Sequence, residues 1–334
     1  MSAAIAAVPL WLIVLIKSAI LLLIVITAFA YAMLAERKVM AWMQLRPGPN
    51  RVGPWGMMQP AADALKMMFK EDLTPDTADP LIYRLAPFIS LICAMGTFAI
   101  IPFTGDINGG WSIGNVNAGI LFLFALSSLG VYGISLAGWA SGSKFPLLGS
   151  VRSMAQMISY ELSMSMSVIG VLILAGSTSL SMIVSSQARV WFIVPQIVGF
   201  IIYLITAVAE TNRAPFDLVE AETELVGGFH TEYSGLRFGL FFIAEYLNMI
   251  SVSCLATLLF LGGWNPLFGP SGNPWLGLVW FLLKAGLFLF FYIWLRTTLP
   301  RLRYDRLMDF GWKILLPVAT LNLVVTAVVI AVRG

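Results

Sequence analysis

Long apolar runs, separated by short polar connections, dominate this sequence. A helix needs roughly 20 residues to cross the hydrocarbon core of a bilayer. Runs near that length occupy residues 9–34, 84–103, 118–140, 151–175, 191–210, 238–262, 275–295 and 311–332. We therefore predict an all-α integral membrane protein with about eight transmembrane helices. Residues 1–334 are expected to form a single membrane domain.

The first run is expected to remain in the mature protein as a membrane anchor. It is longer than the apolar core of a signal peptide. It ends in the polar sequence AERK at residues 35–38, and no convincing cleavage site follows it.

The composition fits a membrane protein and narrows the possible functions. The chain is 59% hydrophobic and 11% charged, whereas soluble domains carry about 25% charged residues. Its two cysteines, Cys93 and Cys254, lie inside apolar runs, and an iron–sulfur cluster takes more protein ligands than these two could supply. The basic residues follow the loops without interleaved aromatic side chains, so nothing indicates nucleic-acid binding.

Basic residues are concentrated in alternate connections, which all lie on one side of the membrane if eight runs cross it. These connections hold Arg37, Lys38, Arg46, Arg51, Lys66, Lys70, Arg84, Lys144, Arg152, Arg213, Arg237, Arg296, Arg301, Arg303, Arg306 and Lys313. The opposite side holds only Arg189 and Arg333. The positive-inside rule therefore places the basic connections in the cytoplasm or the equivalent matrix compartment, with both termini on the other side.

The cytoplasmic connection over residues 35–83 contains a predicted amphipathic helix at residues 57–70. Its apolar positions are Met57, Ala61, Ala64, Leu65 and Met68, and its polar positions are Gln59, Asp63, Lys66 and Lys70. This helical spacing predicts a helix at the membrane interface. Its apolar face could meet lipid or an apolar ligand, or could simply anchor the bundle, and the spacing leaves both readings open. Before it, residues 46–54 are rich in turn-forming residues.

A second cytoplasmic connection, residues 211–237, is strongly acidic. It and its flanks carry Glu210, Asp217, Glu220, Glu222, Glu224, Glu232 and Glu245. A carboxylate at the bilayer centre costs roughly 2.5–3.5 kcal/mol on the lenient insertion scale, and neighbouring like charges raise one another's pKa values. The cluster therefore indicates a region that moves or stores protons. A solvated acidic loop is the alternative reading, chiefly for Glu220, Glu222 and Glu224.

Two ionisable residues are predicted near the membrane midplane. Glu161 lies ten residues into the fourth run, about 15 Å along a helix, beside Tyr160 and several serines. Lys284 is central in the seventh run. We hypothesise that Lys284 faces the bundle interior and influences the pKa of Glu161, Glu210 or Glu245. A polar clasp between two helices is the alternative.

The sequence contains no nucleophilic triad and no phosphate-binding glycine loop with its lysine. The single histidine, His230, is weak evidence for a metal, so no metal site is predicted and a hydrogen-bonded loop residue is expected. The chain alone therefore holds no complete active site.

Several motifs closely resemble one known family over nearly the whole chain. They are ERK at 36–38, LRPGPNRVGP at 45–54, QPAADALK at 59–66, ETNRAPFD at 210–217, EAETELVGGF at 220–229, EYSG at 232–235 and PRLRYD at 300–305. The family is the H subunit of proton-pumping NADH:quinone oxidoreductase, respiratory complex I. The resemblance implies a membrane component that forms the entry and chamber for a quinone, ubiquinone being the expected species, and that links quinone reduction to proton translocation.

The resemblance also implies roles for individual residues. The quinone passage would involve Glu36, Arg37, Asp63 and Phe229. The proton path would involve Tyr160, Glu161, Glu210, Glu220, Glu222, Glu224, Glu232 and Glu245, with Lys284 added by its position. Acids at the arm junction would pair with Arg213, Arg301, Arg303 and Arg306.

The implied partners are the peripheral-arm subunits, one of which would hold the iron–sulfur cluster that delivers electrons, and the adjacent small membrane subunits. No covalently bound cofactor is expected. The expected location is the bacterial inner membrane, with the mitochondrial inner membrane as the alternative.

Other functional classes remain open at this point. A proton-coupled secondary transporter would also place acids and Lys284 near the midplane, although no inverted repeat is evident. A scaffold for a cytoplasmic enzyme would need only the basic loops and would leave Glu161 and Glu245 unexplained. The related membrane component of an energy-converting hydrogenase is a close variant of the respiratory assignment.

Overall fold

The computed structural model describes residues 9–104, 116–217, 226–266 and 273–333. Within these ranges the chain is helical and contains no strand, as predicted. The helices are α1 (Leu10–Met43), α2 (Gln59–Phe69), α3 (Pro80–Phe98), α4 (Gly119–Ala140), α5 (Lys144–Ala175), α6 (Leu180–Ser186), α7 (Ile197–Glu210), α8 (Gly235–Phe260), α9 (Pro274–Thr298), α10 (Tyr304–Phe310) and α11 (Leu316–Arg333). Short 3₁₀ turns cover Pro54–Gly56 and Gly228–His230, and a π-helical turn over Gly311–Leu315 joins α10 to α11.

Seven stretches of the described chain are long and apolar enough to cross a membrane: α1, α3, α4, α5, α8, α9 and the continuous α10–α11 segment. The remaining predicted span, residues 191–210, contains only the 14-residue helix α7. Its first part, which includes Pro195, forms turns, and the helix begins two residues after this proline. The prediction of a membrane protein with about eight helices is confirmed.

The starts of two spans are fixed by N-capping side chains. The carboxylate of Asp79 accepts hydrogen bonds from the backbone N–H groups of Leu81 (3.1 Å) and Ile82 (3.3 Å), so α3 starts four residues before the predicted span. The Asn273 side chain caps α9 by accepting from Trp275 N–H at 3.1 Å. In both helices a proline follows the cap, where its missing N–H costs nothing.

Helices α5 and α8 form the centre of the bundle. Helix α8 packs against α3, α9 and α1, while α5 packs against α4, α7 and α11. The core around them includes the fully buried rings of Tyr203, Phe260 and Phe281. Helices α1 and α11 keep long exposed apolar faces, as expected for the periphery of a membrane bundle. In lipid this interior is stabilised mainly by close packing and hydrogen bonds, since lipid tails are as apolar as the side chains.

The predicted amphipathic helix is present as α2, two residues shorter at its start and one at its end. Leu65, Met68 and Phe69 on its apolar side are exposed. The turn before it ends at Gly56, which has a φ of +73° that favours glycine. A Cβ at this position would also lie 2.2 Å from the carbonyl oxygen of Pro49. Gly149 on α5 similarly allows the Gly228–His230 turn to approach, since a Cβ there would lie 2.9 Å from Phe229 N.

Candidate functional site: a buried ion cluster beside an internal cavity

Four charged side chains from four parts of the chain meet inside the bundle, and we call them the Arg213 cluster. Its members are Glu36 on α1, Arg213 in the loop after α7, Glu245 on α8 and Arg296 on α9. Arg213 Nη1 donates to the Glu36 carboxylate at 3.1 and 3.3 Å, and Arg213 Nε lies 2.8 Å from Glu245 Oε1. Arg296 Nη1 also donates to Glu36. Two acids and two arginines therefore compensate each other's charge.

The guanidinium of Arg213 is held in its charged form. Burial by itself would lower the pKa of Arg213, but the carboxylates of Glu245 and Glu36 raise it above the ordinary arginine value. The guanidinium also lies over the ring of Tyr246, 4.3 Å from its centroid. Arg213 is thus a permanent positive charge shared between an acid on α1 and an acid on α8.

The loop that carries Arg213 is fixed by Gln156 on α5. The Gln156 amide nitrogen donates to the carbonyl oxygens of Ala209 (2.7 Å) and Phe216 (2.8 Å). These two carbonyls lie on either side of Arg213, so one buried side chain sets the position of the loop. Leu302 N–H adds a further bond to the Pro215 carbonyl at 3.0 Å.

Two further acids are bound by adjacent serines on α4. Ser127 donates to Oε1 of Glu210 at the end of α7, and Ser128 donates to Oε1 of Glu161 on α5. Ser128 Oγ also lies 2.9 Å from the carbonyl oxygen of Phe124 on its own helix. The second oxygen of Glu210, Oε2, is buried and has no hydrogen-bond partner among the described protein atoms. Glu161 and Glu210 are therefore brought to the same place on α4.

An internal cavity runs between α3, α4, α5, α7 and α8. Its volume is about 90 Å³. Its wall is mostly apolar, with polar side chains from Ser90, Thr97, Ser127, Glu210, Thr211, Asn212, His230, Glu245, Asn248 and Ser251. Because Glu245 belongs both to this wall and to the Arg213 cluster, the cavity and the cluster are contiguous.

The residues predicted for the quinone passage fall into two places. Arg37 directly follows Glu36 of the Arg213 cluster in the sequence, and its Nη1 donates to Asp63 on α2 at 2.7 Å. Phe229 lies elsewhere, on the cavity wall, with its ring 5.0 Å from the ring of Phe241. The structure thus joins three of the four residues through α1, and separates the fourth.

Lys284 is buried in the bundle interior, as hypothesised, and its hydrogen-bond partners are backbone carbonyls. Its ammonium group donates to the backbone carbonyls of Leu261 (2.6 Å), Gly263 (3.0 Å) and Asn265 (2.6 Å), just beyond the end of α8. It also lies over Trp191, 4.3 Å from the ring centroid. These three carbonyls accept the three N–H donors of the Lys284 ammonium group. Backbone oxygens at the negative end of α8, rather than a carboxylate, are therefore its direct partners. The observed contacts form a polar clasp between α9 and the segment that follows α8.

Other predicted site residues are less closely associated with the cavity. Tyr160 donates its hydroxyl to the carbonyl of Leu307 on α10 at 2.8 Å, away from Glu161. Glu232 is partly exposed, and its backbone carbonyl accepts from Tyr83 at 2.7 Å. Glu220, Glu222 and Glu224 lie outside the described residues.

The predicted arm-junction arginines behave differently from one another. Arg213 is deeply buried, as described above. Arg303 forms an exposed pair with Asp305 at 2.8 Å, and Arg306 is exposed. Arg301 is partly buried, with one guanidinium nitrogen that has no hydrogen-bond partner among the described atoms.

Several members of the site were not predicted from the sequence. Arg296 was not predicted as a site residue, although it directly follows an apolar run and could therefore reach an acid at the membrane boundary. Ser127, Ser128 and Gln156 carried no signal, because hydroxyl and amide side chains are common in helices and their partners are distant in sequence. Contacts between residues far apart in the chain require the fold.

Together, the fold and the site define a polytopic helical membrane protein whose ionisable side chains face the bundle interior. Such groups are rare in membrane interiors and mark functional sites. Residues 16–327 match the family model described as NADH dehydrogenase, and the chain belongs to this family.

Bacterial relatives extend that match over nearly the full length. The chain is 51% identical over 322 residues to an H subunit of NADH-quinone oxidoreductase from Symbiobacterium thermophilum, covering 96% of this chain and 97% of the relative. It is 52% identical over 315 residues to an H subunit from Geobacter sulfurreducens, covering 93% and 94%. It is 50% identical over 326 residues to the H subunit from Brevibacillus brevis, covering 97% and 95%. The family resemblance inferred from the sequence motifs is confirmed.

Proposed function

We propose that this chain is a membrane component of a bacterial NADH:quinone oxidoreductase, forming part of the quinone entry and chamber and linking quinone reduction to proton translocation. The names of its bacterial relatives support the complex. The observation that carries the coupling role is the position of Arg213, which binds Glu36 on one side and Glu245 on the other. Glu36 adjoins the proposed quinone passage, and Glu245 adjoins the cavity.

The quinone end of the proposal rests on α1 and α2. Arg37 and Asp63 tie these helices together, and Leu65, Met68 and Phe69 leave an apolar surface exposed beside them. An isoprenoid tail would suit that surface, while the polar pair would lie near the path of the quinone head. Phe229, at the cavity, is proposed for the inner end of the passage.

Charge is the proposed signal between the two ends. Quinone reduction takes up two electrons and two protons, so charge changes near the chamber during each turnover. Two unit charges 4 Å apart interact by about 4 kcal/mol at an effective dielectric constant of 20. A change at Glu36 would therefore alter how strongly Arg213 holds Glu245, and with it the readiness of Glu245 to take a proton. Coupled acids of this kind titrate as a group.

The cavity provides the continuation of the path. One buried water occupies roughly 10–15 Å³ of such volume, so the cavity is large enough for several. Glu245 and Glu210 are the acids of its wall that such water would connect, and Glu161 would join the path through its position beside Glu210, on the neighbouring serine. Glu220, Glu222, Glu224 and Glu232 would extend the path on the loop side, with Tyr160 as a supporting group. Lys284 would act through the fold, by holding α9 to the segment that follows α8.

The partners in this proposal are the other subunits of the complex. An iron–sulfur cluster in a neighbouring protein of the complex would deliver electrons to the quinone, and Arg301, Arg303 and Arg306 would meet acids at the arm junction. The location would be the bacterial inner membrane, and ubiquinone is the proposed quinone.

The test is to replace Glu245 with Gln in membranes that contain the assembled complex. NADH:quinone activity, NADH:ferricyanide activity and proton pumping are measured side by side. We expect pumping and quinone reduction to fall while ferricyanide reduction stays intact, because the substitution keeps the shape of Glu245 and removes its charge. Asp309→Asn is the matched control, since Asp309 is an exposed acid whose partner, Lys313, lies one turn further along the chain.

Two results would reject the proposal. Wild-type pumping and quinone reduction in Glu245→Gln would mean that Glu245 has no role in coupling. An equal loss of all three activities, with less complex in the membrane, would instead assign the Arg213 cluster to assembly.

A further inference from the structure

Ser127 and Ser128 are consecutive residues whose hydroxyls bind two different acids. Successive residues of an α-helix point about 100° apart around its axis. On α4 this turn directs Ser127 to Glu210 of α7 and Ser128 to Glu161 of α5. One dipeptide therefore holds carboxylates from two other helices.

The hydrogen bonds of Ser128 suit an acid that changes its protonation state. A hydroxyl has one proton to donate and can also accept. When Glu161 is ionised, Ser128 donates to it. When Glu161 is protonated, the acid can donate to Ser128 Oγ while the serine proton turns to the Phe124 carbonyl, 2.9 Å away. Neither state leaves the serine without a partner.

Ser127 fixes one oxygen of Glu210 and leaves the other available. Oε1 accepts from Ser127, whereas Oε2 is buried and has no partner among the described protein atoms. Both Ser127 and Glu210 belong to the cavity wall. The serine therefore fixes the orientation of the carboxyl group, while the second oxygen keeps no protein partner among the described atoms and belongs to a residue of the cavity wall.

We propose that Ser127 and Ser128 are positioning residues for proton transfer, which orient Glu210 and Glu161 and remain hydrogen-bonded in both protonation states of these acids. The proposal rests on the proposed function, because it assigns the serines to the same proton path. The proton itself leaves one carboxyl oxygen and joins another, so the serines need no net gain or loss of a proton.

The test uses the assembled complex in native membranes or liposomes, with Ser127→Ala, Ser128→Ala and the double variant. We expect the rate of NADH-driven proton pumping to fall about tenfold in the double variant, the factor that corresponds to a loss of about 1.4 kcal/mol. Ser127→Thr and Ser128→Thr retain a hydroxyl and should restore a large part of the rate. Ser253→Ala is the matched control, because the hydroxyl of this buried serine donates to the Met249 carbonyl of its own helix.

A second readout separates positioning from a general loss of structure. Infrared difference spectra during turnover report the C=O stretch of protonated carboxyl groups, which moves to higher wavenumber when a hydrogen bond is lost. We expect that shift in the alanine variants and its absence in Ser253→Ala. An unshifted band with wild-type pumping in the double alanine variant would overturn the proposal.

Failure of the proposed function would be distinguishable from failure of this inference. Glu161→Gln and Glu210→Gln variants that pump normally would reject the proton path, and the serine proposal with it. Loss of pumping in those variants, together with normal pumping in the double alanine variant, would reject the serine proposal alone.

Discussion

Arg213 Nη1 lies 3.1 Å from Glu36 Oε1, although the two residues are 177 positions apart in the sequence. Their side chains retain only 5% and 3% of their exposure. The contact connects the end of α1 with the loop after α7, and Glu245 and Arg296 complete it from α8 and α9. Glu36 contacts both Arg213 and Arg296, and Arg213 also contacts Glu245, so the cluster joins the start, middle and end of the chain at one place.

Neutralising Glu36 is expected to destabilise the protein. Glu36→Gln would leave Arg213 with Glu245 alone and would remove the carboxylate to which Arg296 donates. Removing one partner of a buried ion pair costs about 3–5 kcal/mol. The thermal inactivation midpoint of the purified complex should therefore fall. Asp309→Asn is the control, because its pair with Lys313 is exposed and such pairs contribute about 0–1 kcal/mol. Equal midpoints for the two variants would contradict the charge balance described for the cluster.

Removing the Gln156 amide is expected to displace Arg213. Gln156→Leu would leave the carbonyls of Ala209 and Phe216 without their donor, at a cost of about 1–3 kcal/mol. Quinone reductase activity should fall, because the loop that carries Arg213 is released.

Gln187 offers a matched control for this variant. It is equally buried and donates to the carbonyl of Leu258 at 2.8 Å, far along the bundle from Arg213. Gln187→Leu should lower stability by a similar amount and leave quinone reduction per assembled complex unchanged. Similar activity losses in both variants would attribute the effect of Gln156 to stability alone.

The architecture was largely predictable from the sequence because the membrane imposes a simple rule. Runs near 20 residues must be helices there, since every backbone polar group needs a partner within its own segment. Helix ends were less predictable. The caps at Asp79 and Asn273 are polar residues outside the apolar runs. The first part of the fifth span forms turns, although its apolar sequence predicted helix.

The site was only partly predictable, for a different physical reason. Acids within apolar runs, such as Glu161 and Glu210, stand out in sequence because burying a charge is costly. Their partners do not stand out, since serine hydroxyls are easily buried and the pairing depends on how helices rotate against one another. Lys284 shows the same limit. Its burial was predicted, but its partners are backbone carbonyls, which no sequence pattern distinguishes.

Lys284→Met is expected to affect stability more than coupling. The substitution leaves the carbonyls of Leu261, Gly263 and Asn265 without their donor. Each unsatisfied buried acceptor costs about 1–3 kcal/mol, so the amount of assembled complex should decrease. The number of protons pumped per electron should remain at the wild-type value in the complex that does assemble. A lower ratio would restore the hypothesis that Lys284 acts on the proton path.

Weakening the link between α1 and α2 is expected to change quinone binding with little effect on stability. The Arg37 side chain is 43% exposed, so its pair with Asp63 contributes only about 0–1 kcal/mol to folding. Arg37→Gln should nevertheless raise the KM for a long-chain quinone several-fold, because the position of α2 beside the proposed passage depends on this contact. A short-chain quinone with little tail is the comparison and should show a smaller change.

Because exposed ion pairs weaken as salt increases, raising the ionic strength should increase the wild-type KM and hardly change that of Arg37→Gln. An unchanged KM for both quinones would place the passage away from α2.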